Sequence, residues 1–261
     1  MSAPAPQRLW EVDVARTAAI AMMVVYHAAY DVHQLAPGVD IDPFGGGWRA
    51  LQVATGSTFL AVVGVSVAIS NGRARARGLT GWALYRRHLR RAGQVAAAAL
   101  LVTVATRIAL GDDYVRFGIL HCIAAAMVIA PLLVRLGWLN VPLGVAVIVA
   151  GRALHGGPTY DVPGLLVFGV PPPGGAGVDW YPLLPWLGPV LFGLALGLAL
   201  YPGGRRGPWG RHLPEPPRAR TIGAPGRHAL PIYLIHQPVL IPLVAAALAL
   251  AGVEVSWDEF T

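Results

Sequence analysis

The chain has 261 residues, 55% of them hydrophobic and only 13% charged, with a formal net charge of +7 and a mean hydropathy of +0.56. A soluble domain carries roughly one-quarter charged residues, so the composition excludes an ordinary soluble fold and predicts an all-α, polytopic membrane bundle forming one unit over residues 1–261. All 20 Lys-plus-Arg residues are arginine, and their placement along the chain ties the charge to membrane topology, not to nucleic acid.

Seven apolar segments of about 20 residues are expected to span the bilayer: 13–33, 48–70, 92–109, 117–136, 139–155, 181–201 and 228–251. The first follows the charged stretch RLWEVD without a small-residue cleavage site, which predicts a retained signal anchor. Within EVDVARTAAIAMMVVYHAAYD it carries Asp13, Arg16, His27 and Asp31. At 100 degrees per residue these four fall within about 60 degrees of one another. A charge in hydrocarbon costs roughly 2.5 to 3.5 kcal/mol even on lenient insertion scales, so the stripe is predicted to face the bundle interior. Eleven residues, about 16 Å of helix, separate Arg16 near the inner surface from His27 beyond the midplane. Asp31 follows His27 at i, i+4, where a carboxylate is placed to accept a hydrogen bond from one ring nitrogen and leave the other as a base. A packing network is the alternative for the same residues.

Between the second and third segments, NGRARARGLTGWALYRRHLRR reads as a surface loop or short interfacial helix and supplies Arg86, Arg87, Arg90 and Arg91. The fourth segment opens with RFGILHCIAAA, setting Arg116 at the outer edge and His121 about one turn further in. Cys122, the only cysteine, makes no intramolecular disulfide and reads as a small core residue. Arg107, Arg152 and His155 end their segments at the same outer face. The outer loop from Gly156 to Tyr181 holds an apolar patch too short to span and broken by three prolines, predicted to be a lid or re-entrant cap. Trp180 and Trp186, at the start of the sixth segment, suit either sugar stacking or the interfacial belt. The seventh segment carries His236 and Gln237 about 15 Å deep, with Tyr233 at i−3 from His236. Pro231, Pro238 and Pro242 free backbone carbonyls around that depth.

With the N-terminus cytoplasmic, 16 of the 20 arginines fall on inner segments: Arg8 and Arg16, seven between Arg73 and Arg91, Arg135, and six between Arg205 and Arg227. Arg49, Arg107, Arg116 and Arg152 fall outside, with most of the acids, among them Asp179, Asp258 and Glu259. This is the positive-inside pattern.

The blocks RLWEVDVARTAAIAMMVVYHAAYD, GSTFLAVVGVSVAIS, FGILHCIAAA, YPLLPWLGPVLFGLALG and GRHALPIYLIHQPVL, in this order, resemble the heparan-alpha-glucosaminide N-acetyltransferase-like family of bacterial membrane proteins. The spacing of Arg16 and His27 is similar to the arginine–histidine signature of the wider transmembrane acyltransferases. The resemblance implies an enzyme of the bacterial cytoplasmic membrane. Acetyl-CoA or another acyl-CoA would be the cytosolic donor, a sugar or glycolipid the acceptor on the far side, and an intramembrane histidine essential. The chain is much shorter than the animal lysosomal enzyme, so glycosaminoglycan specificity is not carried over. Residues and resemblance together assign His27, Asp31 and His121 to catalysis. Arg16, Arg86, Arg87, Arg90, Tyr233 and His236 go to the acyl-CoA, and Arg116 and Trp186 to the acceptor. No metal is called for, and a homodimer is left open. The competing readings are a proton-coupled transporter or channel, since intramembrane His, Asp and Arg also mark ion pathways, and a scaffold whose stripe only packs helices.

Overall fold

The computed structural model describes residues 8–155, 157–210 and 212–257; Arg211, Asp258 and Glu259 lie outside them. The described residues contain no strand. The long helices are α1 (Trp10–Leu35), α2 (Gly46–Arg75), α3 (Gly81–Leu110), α4 (Ile119–Leu133), α5 (Asn140–His155) and α6 (Leu183–Leu200). Two short helices, α7 (Ala219–Ile222) and α8 (Ala224–Arg227), lead into α9 (Ala229–Leu250). In hydrocarbon each backbone N–H and C=O must be paired within its own segment, which is why apolar runs of this length become helices. The molecule is an all-α, multi-pass membrane bundle.

Six helical stretches among the described residues are long and apolar enough to cross a membrane, where seven segments are expected from the sequence. The difference lies at Ile119–His155, counted as one stretch of 37 residues. Drawn out straight it would measure about 55 Å, yet both of its ends meet the same short loop. Ile119 N donates to the Asp179 carboxylate at 3.1 Å, and the His155 ring stacks on Trp180 at 4.7 Å. The stretch therefore doubles back, turning at Gly137, whose φ of 55° lies in the left-handed region. α4 and α5 are its two antiparallel arms.

α2 and α6 form the central pair. A Cβ on Gly64 would collide with the Val190 carbonyl, and one on Gly193 with the Ala61 carbonyl. Glycine at these two points lets the backbones touch, the usual source of helix association where lipid removes the hydrophobic drive. Around the contact lie Leu60, Val190, Leu191 and Leu194, all fully buried, with Cys122 of α4 among them. α1 packs on α2, α8 and α9. Two expectations change in extent. The basic stretch 81–91 is no loop but the first turns of α3, with Leu84, His88 and Ala92 buried and Arg86, Arg90 and Arg91 exposed. The outer loop forms a 3-10 turn at Pro163–Phe168 and then runs irregularly to Pro182, turning through the positive-φ residues Gly169, Gly174, Gly175, Gly177 and Asp179.

Candidate functional site

A cavity of about 260 Å³ opens between α1, α2, α3, α4 and α9. Its walls are apolar, from Phe59, Val62, Val63, Val67, Leu120 and Ile123. Polar groups gather at its two ends. At one end α2 presents Ser66 and Ser70, one turn apart, and each holds an arginine from another helix. Arg16 Nη2 of α1 donates to Ser66 Oγ at 2.6 Å, and Arg91 Nη1 of α3 donates to Ser70 Oγ at 3.3 Å. His88 lines the same end and is 1% exposed, with no protein partner for its Nε2 among the described residues. Arg16 also donates to Asp13 Oδ1 at 3.0 Å, while Arg8 holds the other oxygen of that buried carboxylate at 2.8 Å. Two guanidinium groups and an imidazole at one end of the cavity are groups suited to an anion.

At the other end the cavity reaches Ile119 and Tyr233. The Tyr233 ring lies 5.3 Å from that of His236, which meets His27 edge-on at 4.8 Å. His27 Nδ1 donates to the Met23 carbonyl at 2.9 Å, and His236 Nδ1 to the Tyr233 carbonyl at 2.5 Å. A carbonyl only accepts, so each Nδ1 carries the proton and each neutral ring keeps its lone pair on Nε2. His27 thus presents a base oriented by its own helix backbone.

This differs from the sequence expectation for Asp31. The carboxylate is fully buried, but Oδ1 accepts from Gln237 Nε2 of α9 at 3.0 Å and not from His27. The i, i+4 spacing brought the two close along the helix; the cross-helix amide captured the carboxylate. Asp31 and Gln237 tie α1 to α9 and so hold His236 opposite His27. Asp31→Asn keeps an acceptor for Gln237 and should leave the fold nearly as stable. Asp31→Ala leaves the buried amide unpaired, at a cost of about 1–3 kcal/mol. The difference is read from the detergent-solubilised melting temperatures of the two variants.

Other expected residues are placed elsewhere. His121 Nδ1 accepts from Gly118 N at 3.2 Å and its Nε2 meets Thr103 Oγ1 at 3.3 Å, so it closes the start of α4 apart from the histidine pair. Arg116 donates to the carbonyls of Gly175 and Asp112 and lies over the Tyr114 ring, on the outer loop. Trp186 packs on Tyr181 at 4.5 Å, and Trp180 is already stacked on His155. Arg86, Arg87 and Arg90 do not line the cavity; Arg91 and His88 do. His88 shares the buried face of α3 with Leu84 and Ala92, a signal the i, i+4 pattern carries once 81–91 is read as helix.

Asp179 touches the cavity wall through Tyr233 and carries no local sequence signal. Its Oδ2 accepts from Ile119 N at 3.1 Å and from Tyr233 Oη at 3.2 Å. Burial pushes this carboxyl up to about 7, against the pull of those two donors. A carboxyl raised in the fold favours the folded state below about pH 4, its unfolded value, and that contribution is lost as the pH rises through 7.

A family model described as heparan-alpha-glucosaminide N-acetyltransferase, catalytic, matches residues 8–238. No curated protein and no solved structure matches the chain. The matched span contains Arg16, His27, Asp179, Tyr233 and His236, and stops at Pro238, just past the histidine pair.

Proposed function

The chain belongs to the heparan-alpha-glucosaminide N-acetyltransferase catalytic family, and on that footing we propose that it moves an acetyl group from cytosolic acetyl-CoA to a sugar or glycolipid on the far side of a bacterial cytoplasmic membrane. The observation that carries this reading is the polarity of the cavity, with Arg16, Arg91 and His88 at one end and Tyr233 at the other, against the histidine pair. The donor set fits the donor substrate. Guanidinium groups and the His88 ring, whose Nε2 has no partner among the described residues, suit phosphate oxygens, and the apolar walls suit a thioester arm.

In the reaction, the acceptor's nitrogen or oxygen forms a bond to the acetyl carbon while the carbon–sulfur bond breaks. His27 Nε2 takes the proton the acceptor loses, and that proton ends on the departing thiol. His236 and Tyr233 shape the space where the acceptor meets the acetyl group. The lone pairs of His27 Nε2 and of the buried His236 Nε2, which has no hydrogen-bond partner among the described residues, suit an acceptor rich in N–H or O–H donors. Labelled acetyl-CoA supplied to proteoliposomes with extracted envelope glycans tests the reading by mass spectrometry of the acceptor. Acetylated product is expected, and flux of a solute without covalent product would instead favour the transporter.

The orientation that this scheme needs is checked separately. In a Cys122→Ala background, single cysteines at 72–91 and 203–210 should label only from the cytoplasmic side. Those at 36–47 and 158–179 should label only from outside. Labelling of both sets from one face would overturn the cytosolic donor.

A further inference from the structure

Resting on the acyl-transfer reading, we propose that Asp179 is a positioning residue for the reaction: the outer loop carries its carboxylate into the bundle, where it holds Tyr233 and through Tyr233 the imidazole of His236 that faces His27.

The backbone is built to deliver this side chain. Val178 N donates to Asp113 O and Tyr181 N to Phe117 O, both at 3.0 Å, so the loop is pinned to the segment before α4 on either side of Asp179. Among the described residues Asp179 is the one non-glycine with a positive φ, 51°, a conformation that costs an ordinary side chain energy and that Asp and Asn tolerate best. Opposite the carboxylate stands Gly118, where a Cβ would run into Asp179 Oδ2. The strained residue, the pinned loop and the glycine converge on one oxygen.

Capping α4 accounts for only half of what that oxygen does. An aspartate at a helix start accepts a backbone amide as ordinary duty, and Ile119 N supplies it. The second bond, from Tyr233 Oη, reaches across to α9 and a residue on the cavity wall. Tyr233 contacts His236 by its ring and by its carbonyl, and His236 faces His27. An anion two side chains from the base also favours the imidazolium that forms when His27 takes a proton. The titratable groups facing Asp179 are Tyr26 of α1, Cys122 of α4, Tyr233 of α9 and Tyr181 of its own loop, with Arg49 of α2 acting on Tyr26 and Tyr181; His236 and then His27 follow beyond Tyr233. Because burial pushes the carboxyl up to about 7, its charge changes near neutral pH.

Asp179→Asn keeps an acceptor for Ile119 N and tolerates the left-handed backbone; Tyr233→Phe breaks the link and leaves the cap untouched. In proteoliposomes each variant should lower the acetyl-transfer rate at least about tenfold, within the range of acid–base support, with the KM for acetyl-CoA unchanged. The double variant should be no worse than the poorer single. The pH–rate profile of Asp179→Asn should lose its limb near neutrality. A second readout needs no turnover: carbethoxylation of His27 and His236 by diethyl pyrocarbonate, followed by peptide mass spectrometry across pH. The midpoint of reactivity should move to lower pH in Asp179→Asn, because the neighbouring anion is gone. If the unsubstituted protein acetylates no acceptor, the function reading fails and the histidine reactivity still decides the role of Asp179. If Asp179→Asn does not fold, Tyr233→Phe decides it. Unchanged rate, pH profile and histidine reactivity would leave Asp179 as a helix cap and overturn the proposal.

Discussion

Replacing His27 with alanine should abolish acetyl transfer while leaving the protein folded and able to bind acetyl-CoA. A positioned general base contributes about 10²- to 10⁴-fold, and His27 has the geometry of one. Its Nδ1 is fixed by the Met23 carbonyl at 2.9 Å, which frees Nε2 for the substrate. Folding should survive because the ring is half-buried and the backbone it caps keeps its own helical bond. His236→Ala removes the facing ring at 4.8 Å but not the base, so a smaller loss is expected. The assay is transfer of labelled acetyl in proteoliposomes, with acetyl-CoA binding and thermal melting as controls. Full activity in a folded His27→Ala protein would refute the catalytic role and favour a packing network of the kind common in membrane bundles.

Arg16→Ala should weaken acetyl-CoA binding by roughly tenfold to thirtyfold, the loss of about 2 kcal/mol expected for a hydrogen bond to a charged group. The fork of Arg16 is shared between Asp13 and Ser66 and opens on the cavity. Removing it does not strand Asp13, because Arg8 still donates to Oδ2 at 2.8 Å, so misfolding does not confound the result. Arg91 still lines the same end of the cavity, so some binding should persist. Arg16→Lys keeps the charge but not the planar fork, and an intermediate affinity is expected. Affinity should also fall as salt is raised, less steeply in Arg16→Ala than in the parent. Unchanged affinity in isothermal titration would return Arg16 to a purely structural partnership with Asp13 and Ser66.

The membrane bundle, the helix positions and the inward face of α1 are legible from the chain alone, because they rest on local quantities. The length of an apolar run decides whether it spans, and the helical period puts Asp13, Arg16, His27 and Asp31 on one stripe before any neighbour is known. Asp13 and Asp31 are indeed buried. The same local reasoning assigned Asp31 to His27, and there it failed. A hydrogen bond goes to whichever donor the packing brings within reach, and that donor, Gln237, comes from a helix 206 residues away in sequence. Ser66, Ser70 and His88 gather with Arg16 and Arg91 at one end of the cavity only because α1, α2 and α3 meet there. Asp179 is one more outer acid in the sequence. Its place against Ile119 and Tyr233 is decided by the doubling back of α4 and α5 at Gly137 and the pinning of the outer loop, contacts between distant segments that no periodicity records.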